Sequence, residues 1–166
     1  MQTNVFKIRT QLEAQGFVGC NDKTLVQINF PLRLAPALCM LWVALGTYLA
    51  SATLLWALMP FAALGAVLRG HPFDSFYNFG LRYLMGRQPL PRYGAPRRFG
   101  CAVMTVWLAV TGWAFQSGVI MLGYILGGIA IVLPLINVTT GFCVPSFVYG
   151  LLFGKPGSRS EADCGG

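Results

Sequence analysis

Two stretches of this chain run without a single charged residue, from Leu34 to Leu68 and from Phe99 to Gly154. A membrane-crossing helix needs about 20 apolar residues at about 1.5 Å each, so each stretch is too long for one crossing and must fold back. Polar punctuation shows where. In the first, Gly46-Thr47-Tyr48 and Ala50-Ser51-Ala52-Thr53 form a small, hydroxyl-rich patch, which predicts helices over 34–49 and 53–68. In the second, Gln116-Ser117-Gly118 is the polar break before the C-terminal end of the run, giving helices over 100–115 and 119–136. The pattern predicts an all-α, polytopic membrane protein with four transmembrane helices arranged as two hairpins.

The run does not end with the fourth helix. From Val119 to Phe153 is 35 residues, about 50 Å as one straight helix against a bilayer core of about 30 Å. Asn137, Thr139, Thr140 and Gly141 supply polar or flexible positions, and Pro145 removes a backbone donor. We therefore expect 142–153 to form a short helix or re-entrant segment with Cys143 in its first turn, where a helix N-terminus lowers a thiol pKa. Between the hairpins, His71 to Gly86 read as a helix puts Phe73, Phe76, Tyr77, Leu81 and Leu84 on one face and Asp74, Asn78 and Arg82 on another. Pro72 suits its first turn and Gly86 its end, so a cytoplasmic interfacial helix is expected near 73–85. The resulting division is a cytoplasmic segment over 1–30, a membrane domain over 31–154 and a flexible tail over 155–166. Within the first, Val5 to Phe17 carries the pattern of a weak surface helix, and a mobile arm is the alternative.

Composition agrees. The 166 residues are 55% hydrophobic and 10% charged, whereas a typical soluble domain carries about 25% charge. All 12 lysines and arginines lie before the first hairpin, between the hairpins or in the tail. By the positive-inside rule both termini and the central loop are cytoplasmic. The net charge of +7 follows from that arrangement. Arg82, Arg87, Arg92, Arg97 and Arg98 lie beside membrane helices, where attraction to anionic lipid headgroups explains them, and no nucleic-acid partner is expected. Residues 1–29 lack the short apolar core and small-residue cleavage site of a signal peptide.

The hairpins resemble each other. At a shift of 65 residues Pro31 falls on Pro96, Arg33 on Arg98, Ala37 on Ala102, Trp42 on Trp107, Ala44 on Ala109 and Tyr48 on Trp113. Equivalent positions two crossings apart would be related by an axis along the membrane normal, although apolar helices share a small alphabet and match by chance. Gly123 with Gly127, and Gly46 with Ala50, place small residues four apart for close helix packing, within the chain or with a partner.

Catalytic constellations are sparse. The five carboxylates all lie outside the predicted membrane helices, and no phosphate-binding loop, metalloprotease motif or Ser/His/Asp arrangement is present. No C-x-x-C or Cys/His spacing marks a metal site, and no cofactor is predicted. One histidine rules out a bis-histidine haem within the chain. Cys143 is the candidate thiol, with Cys101, Cys20 and His71 as partners that could meet it at one membrane face. For every other cysteine a small packing hydrophobe is the simpler reading, and a reducing cytoplasm disfavours structural disulfides.

The motif Gly141-Phe142-Cys143 ends the last hydrophobic segment, and Y-N-F-G-L-R-Y with P-R-Y-G-A-P-R-R-F precedes the third helix. Over roughly Asp22 to Phe153 these resemble a bacterial membrane family known as domain of unknown function 4395. The resemblance implies a four-helix integral protein of the bacterial inner membrane and brings no established activity. In several members a second cysteine stands three residues after the first, and some accompany thioredoxin-like or sulfur-handling proteins. Here that position is Ser146, which excludes a dithiol within the motif.

Two functional classes follow. The first is a non-enzymatic accessory or scaffold protein packed against other membrane subunits or in a homo-oligomer. The second is a thiol-dependent protein handling sulfur or electrons through Cys143. A small transporter built from the two hairpins is a third and would need to oligomerise to enclose a path.

Overall fold

The structure is a computed structural model that describes residues 2–68, 70–81, 83 and 90–154, without the side chains of 2–4, 75, 76 and 81. The expectations for Arg82, Arg87 and the 155–166 tail lie outside the described residues. Among these, every regular element is helical. Helix α1 (Gln2–Ala14) and α2 (Asp22–Asn29) precede a 3-10 turn (Pro31–Arg33) that runs into α3 (Leu34–Tyr48). Then come α4 (Ala52–Val67), α5 (Pro72–Phe76) with a π turn at Tyr77–Leu81, α6 (Ala95–Gln116), α7 (Ile120–Thr140) and α8 (Val144–Phe153). Three segments are long and apolar enough to cross a membrane: Pro31–Tyr48, Ala95–Gln116 and Ile120–Thr140. Helix α4 passes the same test only together with its bent continuation Pro72–Gly80, which makes a fourth candidate.

Several boundaries differ from the sequence reading, each for a local reason. Helix α6 starts at Ala95 rather than residue 100, because Pro96 occupies its first turn and leaves no donor unsatisfied there. Arg97 and Arg98 therefore lie inside the helix. Helix α7 continues to Thr140, where the carbonyls of Val138 and Thr140 accept from Arg33 Nη1 and Gln11 Nε2 at 2.8 Å each and the hydroxyls of Thr139 and Thr140 turn back onto Leu135 O and Ile136 O of their own helix. It stops at Gly141, whose left-handed backbone (φ 79°) returns its N–H to Asn137 O. The interfacial helix expected over 73–85 is in its described part a five-residue α-helix followed by a π turn. Ala50 has φ 46° and makes the turn between α3 and α4, where it packs against the core of the long helices.

The N-terminal segment packs into a small core. Leu12, Phe17, Leu25 and Ile28 pack with Leu32, Tyr77, Leu90 and Tyr93, beneath one end of the bundle. Gly16, at φ 99°, lets its backbone lie against that of Gly94. The second core forms between the long helices around Val43, Leu55, Leu58, Leu108 and Ala130. Contacts run most extensively across the two pairs, α4 with α6 and α3 with α7.

Matched hydrogen bonds accompany the 65-residue resemblance. Trp42 Nε1 donates to Leu54 O (2.8 Å) and Trp107 Nε1 to Leu126 O (2.9 Å), each onto the next helix. Arg33 Nη1 donates to Val138 O (2.8 Å) at the end of α7. Arg98, its counterpart, donates through Nε to Ala66 O (2.9 Å) and through Nη2 to Val67 O (3.2 Å) at the end of α4. The acceptors correspond at a shift of 72 residues, so each first helix holds both its own partner and the end of the opposite pair.

The small residues are used within the chain. A Cβ on Gly123 would meet the Phe115 ring, one on Gly127 the Thr47 side chain, and one on Gly46 the Leu55 side chain. Gly128, the neighbour of Gly127, has open space around the same position. Gly127→Ala should therefore lower stability by about 1–3 kcal/mol, and Gly128→Ala should leave it unchanged or raise it by up to about 1 kcal/mol through helix propensity. Thermal unfolding of both variants in one detergent checks the contrast.

Candidate functional site: a thiol-lined cavity beside a buried arginine

The geometry at the end of α4 begins with a proline. Pro72 starts α5, and His71 caps it by accepting the Phe73 N–H on Nδ1 at 3.3 Å while its own N–H donates to Asp74 Oδ2 at 3.2 Å. A ring nitrogen that accepts carries no proton, so the hydrogen sits on Nε2. That nitrogen faces Cys39 Sγ at 3.8 Å. At the end of α7, 72 residues on from His71, Cys143 holds the N-cap position of α8 without a side-chain capping bond, and Pro145 is in the first turn. Ser146 stands where Asp74 stands, and its Oγ donates to Cys143 Sγ at 3.2 Å.

These two caps border one cavity of about 180 Å³ between the helix pairs. Cys39 of α3, Cys101 of α6 and Cys143 reach it, together with His71, Tyr93, Arg97 and Asn137. All three cysteines are free thiols. Most of the remaining wall is apolar, including Ala35, Pro36, Ala62, Met104 and Trp107. Gly65 permits the crowding, because a Cβ there would strike the His71 ring and come within 3.1 Å of Cys101 Sγ.

Arg97 is the dominant charge. It is 93% buried, and its guanidinium lies 4.5 Å from the Tyr93 ring centroid and 5.8 Å from that of Phe17. Nη2 donates to Leu32 O at 2.6 Å, while Nη1 is buried with no hydrogen-bond partner. Among the described residues no carboxylate is within ion-pair distance of it. Asp74 is near enough to feel the charge but faces the His71 N–H and the Tyr93 hydroxyl. Burial, with the Arg97 charge adding to it, lowers the His71 pKa to about 4. Burial likewise raises the Tyr93 pKa well above its usual value, against the opposing pull of Arg97.

Of the residues expected beside Cys143, the cavity brings Cys101 and His71 together with it, and Cys20 lies elsewhere. Cys20 is buried in the N-terminal core and is disulfide-bonded, against the expectation that a reducing cytoplasm disfavours such a bond. Cys39 and Arg97 were missed. Arg97 does not face lipid headgroups as expected, because α6 begins early enough to turn it inward. Arg98 is likewise committed to α4 carbonyls, whereas Arg92 is exposed. Once the helix is taken back to Ala95, the four-residue spacing of Arg97 and Cys101 puts both on one face. Among the described residues no group of three His, Cys, Asp or Glu side chains could hold a metal ion.

The sequence model for a domain of unknown function (DUF4395) matches residues 30–153, and the chain belongs to that family. Nothing matches among curated proteins or among solved structures.

The depressed His71 pKa has a measurable sign. The unfolded chain takes up this proton below about pH 6.5 and the folded chain only near pH 4. Stability is thus complete above pH 6.5 and falls as the pH drops towards 4, with a slope of up to about 1.4 kcal/mol per pH unit. His71→Gln should flatten that slope in melting temperatures recorded across the range.

Proposed function

We propose that this chain is a multi-pass protein of the bacterial inner membrane with four crossings and both termini cytoplasmic, and that it acts through the thiols of its cavity. Helices α3, α4, α6 and α7 supply the crossings. Arg33, Arg92 and Arg98 gather at the end where α3 and α6 begin and where α4 and α7 finish, which supports a cytoplasmic placement of that end. Helix α5 then lies at the cytoplasmic interface, and α8, too short to cross, lies beside it with Phe147, Leu151, Leu152 and Phe153 exposed to lipid.

One observation carries the thiol reading: three free cysteines from α3, α6 and the cap of α8 converge on a single cavity with an arginine and a neutral histidine. Packing alone does not call for that convergence. Cys143 is the principal thiol, positioned by Ser146, with Cys101 and Cys39 beside it; the function is sulfur handling or redox exchange with a small molecule in the cavity.

The accessory reading keeps one favourable observation, the exposed apolar face of α8. It loses another, since the glycines expected to seat a partner are filled by Phe115, Thr47 and Leu55. Cys143→Ser at the native locus, with protein level monitored in the membrane, separates the two. The thiol reading predicts normal accumulation and the phenotype of a complete deletion. Wild-type behaviour of the variant would retire it in favour of the accessory role.

A further inference from the structure

We infer that the cavity takes a small, weakly hydrated monoanion, held there by the charge of Arg97. The inference rests on the cavity as the ligand site but not on any chemistry at its thiols.

An arginine keeps its charge when buried, and a buried charge without a contacting counter-charge is costly. Arg97 is in that condition. Its Nη2 is used by Leu32 O, its flat face lies over Tyr93, and Nη1 is left with hydrogens to donate. The nearest carboxylate, on Asp74, is engaged by the His71 N–H and faces Tyr93. Among the described residues no acidic side chain completes the site from within. The side chain lines the cavity while Nη1 itself is enclosed, so an anion in the cavity compensates the guanidinium through its charge, and direct contact with Nη1 requires the side chain to turn.

Charge, wall and volume define the ligand. A single guanidinium balances one negative charge. Met104, Trp107, Ala62 and Pro36 cannot replace the water shell of a strongly hydrated dianion such as sulfate, whereas a soft monoanion loses little on entering. A volume of about 180 Å³ is near that of a cavity which accepts benzene, so a ligand of about six heavy atoms or fewer fits. Asn137 adds an amide donor to the same lining. A lipid phosphate offers the same charge and the cavity is partly open, so the two sources are separated by the lipid composition of the test.

The test uses the full chain in phosphatidylcholine nanodiscs, in gluconate buffer of constant ionic strength. Maleimide alkylation of Cys101 and Cys143 is followed by peptide mass spectrometry while thiocyanate is titrated in, with sulfate as the comparison. Occupancy predicts saturable protection, with alkylation slowed about elevenfold at ten times Kd, and no protection by sulfate. Arg97→Gln should abolish the protection, and Arg92→Gln, at an exposed site outside the cavity, should retain it. Because Arg97→Gln also frees Leu32 O, the wild-type contrast between the two anions stands as a test on its own. Thiocyanate-insensitive alkylation in the wild type, or unchanged protection in a folded Arg97→Gln, would overturn the inference. So would protection in phosphatidylglycerol discs without added anion, which would assign Arg97 to a lipid phosphate. Protection of Cys101 that survives in Cys143→Ser, in a strain of wild-type phenotype, would remove the thiol function and leave the anion site standing.

Discussion

The last carbonyls of a helix have no partner within it, and in an apolar surrounding each must be given one. In this protein several of them are given one from the start of the adjoining helix of the other hairpin. Arg33 reaches from the start of α3 to Val138 at the end of α7, and Arg98 reaches from α6 to Ala66 and Val67 at the end of α4. The N-terminal segment completes the second set: Gln11 Nε2 donates to Thr140 O at 2.8 Å and Gln15 Nε2 to Gly141 O at 2.9 Å. A charged donor serves well here because its hydrogen bonds are stronger than neutral ones. The exchange ties each helix pair to the other at one end and packs α1 beneath them.

The cavity follows from that exchange. Held by their ends, α4 and α7 stop at corresponding levels, and the chain after each turns sharply through a proline-started helix. The capping residues of those helices, His71 and Cys143, are thereby brought to the borders of one space between the pairs. Arg97 follows the same logic from the other side. Its neighbour Arg98 is committed to α4, so the next position on α6 points into the bundle. The burial of a cation is a consequence of how the helix starts, and the unused Nη1 is what remains of it.

Much of the architecture was legible because charge-free runs and polar breaks are properties of the sequence itself. The long apolar helices, their turns near Ser51 and Ser117 and the short helix after Gly141 all fall where pattern places them. The starts and ends were less legible. Pro96 in the first turn of α6, and Arg33 and Gln11 on the last carbonyls of α7, carry helices through residues that look like loop, and at α6 that shift of a few positions decides whether Arg97 faces lipid or protein. Cys143 stood out through its neighbours, whereas Cys39 carries no local signal and gains a role only from contact with His71, thirty-two residues away. The family match covers residues 30–153 and is silent on activity.

The central claim is that three thiols from separate helices share one cavity between the pairs. It is tested most directly by treating the membrane-embedded wild-type chain with a short bifunctional thiol reagent and mapping the bridged peptides by mass spectrometry. The account predicts bridges within one chain among Cys39, Cys101 and Cys143, with none to Cys20. Bridges only between chains, or none among these three, would contradict it.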